Sequence, residues 1–168
     1  MFYTSIHEVN SIPIYVSKSL GDVLTRLHDT KIDEYNTAYG GESVGLDLYS
    51  TDKEDIVIQG ALGNKLISTG LFIALPKNYE AQIKERGSIT KTPCAIRAGV
   101  VDPGYCGEIF VSLATYGNEK YTVRYGQKLP VQLVTSKVAT NYYAISRQAF
   151  EQYIESTKRK NAYLGSTN

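Results

Sequence analysis

The chain has 168 residues, enough for one domain with a substantial core, and its 18 Lys+Arg against 17 Asp+Glu leave a net charge of +1. So even a balance argues against nucleic-acid or membrane-surface partners, which call for a basic footprint. No apolar run approaches the roughly eighteen residues of a membrane-spanning helix. The opening MFYTSIHEVN lacks the basic-then-apolar order of a secretory leader, so a cytoplasmic location is expected, or a nuclear one in a eukaryotic host. Cys94 and Cys106 have no CxxC spacing, and His7 and His28 lie far upstream of them. Neither a zinc site nor a disulfide is expected, and both thiols read as buried or hairpin-edge groups.

In chain order, the first predicted element is a helix over Lys18–His28. Leu20, Val23, Leu24 and Leu27 recur at helical spacing, and Ser17 or Ser19 is placed to cap it. Val44–Ser50 alternates as a strand. Further strands are predicted over Ile56–Ile58, Asn64–Ala74, Glu80–Glu85, Cys94–Val101, Glu108–Thr115 and Gln127–Val138. Turn signals separate them, among them Gly60, Pro76-Lys77-Asn78, Gly87-Ser88 and Pro103-Gly104. Short strands so punctuated predict a mainly β chain: an antiparallel sandwich, jelly roll or barrel. A second helix is predicted over Ser146–Lys158, with Ala149, Phe150, Tyr153 and Ile154 on one face and Ser146 as its cap. The stretch from Lys158 to Asn168 is basic and then rich in Gly, Ser and Thr, and is expected to be a mobile tail.

Five short segments carry chemistry. In VGLDLYS, Asp47 stands between Leu46 and Leu48, so its carboxylate is expected to be partly buried and to need a cation or hydrogen-bond donors. Lys84-Glu85-Arg86-Gly87-Ser88 offers a guanidinium fork, backbone N–H groups and a hydroxyl, which suit phosphate. Gly99–Ile109 reads GVVDPGYCGEI. It predicts a β-hairpin, Val100-Val101 entering and Glu108–Val111 leaving, with Asp102 and Tyr105 at the tip. A carboxylate and a ring held there suit the positioning of a water and the packing of a flat substrate. Gln132 lies in an apolar strand and needs a polar partner, for which a ligand oxygen or ligand-bound water would serve. Arg159, with Gly165, Ser166 and Thr167, is suited to close over a polyphosphate.

In this order the segments resemble the five motifs of the trimeric dUTPases. The quoted stretches VGLDLYS, GVVDPGYCGE, GQKLPVQL and RKNAYLGSTN correspond to its first, third, fourth and fifth motifs, and STGLFIALPKNYEAQIKERG resembles its TGI-ALP-GYEAQ stretch. The resemblance spans about Val44 to Thr167. It implies a jelly roll forming a homotrimer with sites at subunit boundaries. The reaction implied is hydrolysis of dUTP to dUMP and pyrophosphate, keeping uracil out of DNA and supplying dUMP. Asp102 would deprotonate the water attacking the α-phosphorus. Tyr105 would pack on the deoxyribose and exclude a 2′-hydroxyl. The main chain around Ile96 and Gly99, Val100 and Val101 would meet the uracil edge, with Phe110 lining its pocket. Arg86, Gly87 and Ser88 would contact phosphates, and Gln132 would hold them through water. Arg159, Leu164, Gly165, Ser166 and Thr167 would cover the nucleotide from a neighbouring subunit. Mg²⁺ would be bound by phosphates and water, with Asp47 and Gln132 near it rather than ligating it.

Domain bounds of 1–157, including an N-terminal extension to about residue 42, and a tail of 158–168 follow from this alignment. The chain departs from the family pattern where Leu164 replaces the stacking aromatic and where the segment before Gly41 is longer than usual. Two other readings are weighed beside it. One is a non-catalytic dUTPase-like nucleotide-binding or regulatory protein. The other is a dCTP deaminase, which needs a glutamate on the strand after the turn, where this chain has Ser112.

Overall fold

The computed structural model describes residues 12–60, 63–138 and 146–156. The chain divides into two units, one reaching Val138 and one from Ala139 onward. The first unit opens with a short strand β1 (Ile14–Val16) and helix α1 (Lys18–Leu27). The Ser17 hydroxyl caps α1, accepting from Leu20 N at 3.2 Å. The helix buries Leu20, Val23 and Leu24, as its apolar spacing predicts. Beyond it Asp29 adopts φ +50, and Thr30 N donates back to Leu24 O at 2.8 Å, closing the helix end.

The strands that follow are β2 (Leu46–Tyr49), β3 (Ile56–Gln59), β4 (Lys65–Ala74) and β5 (Tyr79–Glu85). Then come β6 (Cys94–Ile96), β7 (Val100–Val101), β8 (Cys106–Thr115), β9 (Lys120–Val123) and β10 (Lys128–Lys137). Among the described residues they form two antiparallel sheets, β1-β4-β8-β6 and β2-β10-β5-β7, and a ribbon β3-β9. Alternate residues face inward: Ile67, Leu71 and Ile73 of β4, Ile109, Val111 and Leu113 of β8, and Leu129, Val131 and Leu133 of β10. Both sheets contribute to one core, so the expected mainly β sandwich of jelly-roll type is what forms.

Strands β4 and β10 each carry a bulge. In β4 the register shifts between Ser68 and Phe72, around Gly70 at φ +62. In β10 it shifts between Lys128 and Gln132, where Pro130 has no N–H to give to a ladder.

The expected hairpin at Gly99–Ile109 is not one. The Pro-Gly turn forms, with Gly104 at φ +81 and Tyr105 N donating to Asp102 O at 3.1 Å. However, β7 pairs with β5 in one sheet, whereas β8 pairs with β4 and β6 in the other. The turn is a corner between sheets. The expected single strand Cys94–Val101 is broken for the same reason. Ala98 takes φ +55, and Gly99 O accepts from Ile83 N at 2.7 Å as the chain leaves one sheet for the other. Strands β1 and β9 were not expected from the sequence. Cys94 is buried and Cys106 exposed, and both are free thiols.

In the second unit, helix α2 (Arg147–Ser156) forms where expected. Ser146 Oγ accepts from Ala149 N at 3.2 Å, and Arg147 pairs with Glu151 at 2.8 Å. The side chains of Phe150, Tyr153 and Ile154 lie outside the described residues. Among the described residues no helix is long and apolar enough to cross a membrane.

Candidate functional site

The sheet order β2-β10-β5 sets three of the sequence segments side by side. Asp47 comes from β2, Lys128 and Gln132 from β10, and Arg86 from the residue after β5. Asp47 Oδ1 lies 2.9 Å from Arg86 Nε, and Asp47 Oδ2 lies 2.8 Å from Lys128 Nζ. Its side chain is only 16% exposed, so the carboxylate does have the cationic partners its apolar flanks called for. Arg86 N donates to Pro130 O at 3.0 Å, continuing the β10–β5 ladder by one residue and fixing the backbone of Arg86. Partial burial opposes the Lys128 ammonium. The hydrogen bond to Asp47 and the charges of Tyr49 and Asp47 outweigh that, so Lys128 titrates above the ordinary lysine value. The Tyr35 hydroxyl donates to Asp47 O from behind the cluster. Burial first, then Tyr49 and Asp47, push its phenol far above the usual range.

Gln132 Nε2 donates to Glu85 O at 3.3 Å, and the side chain lies flat over Gly45. A Cβ at Gly45 would stand 2.2 Å from Gln132 Oε1, so glycine is required there for the amide to reach across. Gly87 and Ser88 are exposed and open a short 3₁₀ turn, Gly87–Lys91, capped by Arg86. Lys128 is the member of this cluster that the sequence reading did not single out. In the ladder Lys128 stands opposite Tyr49, two residues from Asp47, a placement that no local pattern marks.

A second feature lies at the sheet corner. Asp102, Tyr105, Phe110, Leu66 and Ala98–Val101 line a cleft of about 290 Å³, together with Ile83, Glu108, Ile109 and Ser112. That volume is near the lower bound for small-molecule pockets, roughly 300 Å³, and suits one ring system rather than a whole nucleotide. Tyr105 Oη donates to Glu108 O at 2.7 Å, and the ring covers Gly107, where a Cβ would lie 2.7 Å from that oxygen. The Glu108 carboxylate is already engaged, accepting from Ser68 Oγ and from Gly70 N at 2.9 Å. Asp102 is exposed at the rim. Ile96 packs against Gly99 from behind, 3.6 Å from where its Cβ would be, rather than lining the cleft. A larger hollow of about 420 Å³ between Ile12, Tyr35, Val44 and Leu133 has no charged lining residue, so size alone does not mark the chemistry.

Within one chain the two features stand apart. Val101, which precedes Asp102, pairs with Ala81. Arg86 lies five residues further along that strand, about 17 Å at the usual rise per residue. Arg159, Leu164, Gly165, Ser166 and Thr167 fall outside the described residues. Among the described residues no three His, Cys, Asp or Glu side chains group as a metal site.

A family model described as dUTPase matches residues 33–168. A deoxyuridine 5'-triphosphate nucleotidohydrolase of Rickettsia bellii is 34% identical over 140 residues, covering 82% of this chain and 87% of that protein. The enzyme of that name from Ehrlichia canis is 32% identical over 133 residues, covering 74% and 80%. Among solved structures, EIAV dUTPase aligns with a TM-score of 0.55 at 29% identity, covering 64% of this chain and 86% of that one. A Staphylococcus bacteriophage 80alpha dUTPase with dUPNHPP aligns at 0.63 and 18% identity, covering 95% and 99%, which is a likeness of fold.

Proposed function

The chain belongs to the dUTPase family, and from that premise we propose that it is a dUTP diphosphatase, releasing dUMP and pyrophosphate by Asp102-assisted attack of water on the α-phosphorus. The observation that carries this reading is the pairing of a preorganised cation cluster with an aromatic-walled cleft bearing a free carboxylate. Arg86 and Lys128, held by Asp47, draw charge from the phosphates; such preorganised cations act most strongly where negative charge develops. Gln132, with Gly87 and Ser88, orients the phosphate chain. The cleft takes the base against Gly99, Val100, Val101 and Phe110, and Tyr105 lies against the sugar, where a 2′-hydroxyl would meet its ring. Asp102 accepts the proton of the attacking water, a contribution of about 10²–10⁴-fold.

Both oxygens of Asp47 are engaged by cations, so the donor set here suits a hard cation that arrives on the triphosphate and keeps its water. Mg²⁺ bound in that way would neutralise phosphate charge, with Asp47 and Gln132 holding the triphosphate that carries it rather than ligating the ion.

The separation of the two features within one chain supports a homotrimer in which Asp102 of one subunit serves the cation cluster of another. A heterologous contact repeated around a ring closes such an arrangement. The tail, residues 158–168, is proposed to bring Arg159, Leu164, Gly165, Ser166 and Thr167 over the bound nucleotide. A cytoplasmic setting accompanies this proposal.

Incubation with dUTP, dCTP or UTP and Mg²⁺, followed by product separation, tests the reading. Release of dUMP and pyrophosphate from dUTP alone is expected. Ammonia release from dCTP would indicate a deaminase, against which the engagement of Glu108 by Ser68 and Gly70 already counts. Tight dUTP binding without turnover would indicate a regulatory protein.

A further inference from the structure

Helix α1 lies before residue 33, where the family match begins, and yet its end packs on the Tyr49 ring that borders the cation cluster. His28, at its C-cap, places Nε2 2.8 Å from Gly126 O. The partner is a carbonyl, so Nε2 carries the proton. The His28 ring also packs on Tyr49, with centroids 4.4 Å apart and planes at 49°. Tyr49 pairs across the strands with Lys128, whose Nζ lies 5.5 Å from the tyrosine ring centroid and 2.8 Å from Asp47. Arg86 completes the series at 2.9 Å from Asp47.

The Gly126 turn, two residues before Lys128, is clasped from both sides. Gly126 N donates to Ser50 O at 2.8 Å, and Ser50 N donates to Gln127 O at 2.9 Å. Leu27 covers the other side so closely that a Cβ on Gly126 would stand 2.2 Å from its Cδ1. The core-filling work of α1 is already done by Leu20, Val23 and Leu24, which are fully buried. The contacts of His28 are of another kind. They are polar and aromatic, and they point at the backbone turn and the ring against which Lys128 rests.

We infer that His28 is a positioning residue for the phosphate-binding cluster: it locks the Gly126 turn and the Tyr49 ring so that Lys128 meets phosphate with its long stem already ordered. A lysine on a flexible four-carbon stem binds well only when its conformers are restricted beforehand. The inference rests on the reading of this cluster as the phosphate site.

The test uses the full chain and its His28→Leu, His28→Gln and His28→Asn variants. Dissociation constants are measured for the non-hydrolysable α,β-imido analogue of dUTP and for dUMP, both with Mg²⁺, together with kcat, KM and Tm. The glutamine amide nitrogen reaches about as far as Nε2, and the asparagine amide does not. His28→Leu and His28→Asn are expected to weaken the analogue by about three- to tenfold, one hydrogen bond's worth. KM rises with that loss, kcat stays within about twofold, dUMP weakens less than the analogue, and His28→Gln recovers most of the loss. If the leucine variant fails to fold, the glutamine–asparagine pair decides. Equal analogue affinity in those two variants, or equal weakening of analogue and dUMP, overturns the inference. A wild-type chain that binds no analogue overturns it by removing the phosphate reading itself, which is a separate result.

Discussion

Asp47 Oδ1 sits 2.9 Å from Arg86 Nε although a whole strand, β10, separates the strands on which the two residues are carried. Arg86 lies just past the end of β5 and continues its register with β10, its N–H donating to Pro130 O at 3.0 Å, which leaves its side chain free to reach across to Asp47. The second oxygen of the same carboxylate holds Lys128, so one anion keeps two cations together.

Replacing that anion leaves the cations to repel. Asp47→Asn is expected to lower stability by about 1.5–3 kcal/mol, the range of a hydrogen bond to a charged group, and to weaken triphosphate binding more than dUMP binding. Urea denaturation and calorimetry check the two effects. Unchanged stability with unchanged binding would show the cluster to be incidental surface charge.

Asp102→Asn keeps the shape of the turn and removes its base. Turnover of dUTP is expected to fall by about 10²–10⁴-fold, with analogue affinity within several-fold of wild type. Single-turnover kinetics beside equilibrium binding separates the effects. Surviving turnover would assign the base elsewhere.

Gly107→Ala places a methyl group 2.7 Å from the Tyr105 hydroxyl, too close for both to stay. The ring must move, and its bond to Glu108 O must lengthen or break. Discrimination between dUTP and UTP is expected to fall by about tenfold, since it rests on a close steric fit. The ratio of kcat/KM for the two substrates measures this; an unchanged ratio would remove Tyr105 from the sugar site.

Alkaline pH is expected to lower the stability of the fold through two groups. Both Tyr35 and Lys128 have folded values above their ordinary ones of 10.0 and 10.5. A raised folded value favours the protonated folded state, so this stability is complete below about pH 10 and is lost as pH climbs through the folded values. Tyr35→Phe is expected to flatten the alkaline limb while lowering stability at neutral pH through loss of the bond to Asp47 O. Denaturant midpoints from pH 8 to 11 test this.

Much of the site was legible because its residues lie in short local patterns. Asp47 between two leucines announced a buried carboxylate, and Pro103-Gly104 announced a turn. What local pattern does not encode is which strand a residue will sit beside. The turn chemistry at Asp102 fixed a reversal and was silent on whether β7 and β8 would pair, which they do not. Lys128 was overlooked for the same reason, since its partner lies 81 residues away in the chain. The periodicity of α1 was plain, but neither the contact of His28 with Gly126 nor the placing of β1 beside β4 can be read from spacing. Strand β1 is three residues long, too short for alternation to register.

Removal of residues 158–168 is expected to slow catalysis strongly while leaving the fold and the oligomer in place. Full activity in the shortened chain would show that Arg159 and the Gly165-Ser166-Thr167 segment do not cover the nucleotide.

Mixing subunits tests most directly whether one nucleotide is shared between Asp102 of one subunit and the Asp47–Arg86–Lys128 cluster of another. Asp102→Asn and Arg86→Ala chains, each inactive alone, are unfolded together, refolded as mixed oligomers and assayed on dUTP. Recovery of about a quarter of wild-type activity is predicted, the share of boundaries in a randomly mixed ring that join two intact halves. No recovery in oligomers shown by mass spectrometry to be mixed would place the whole site within one chain and contradict the account.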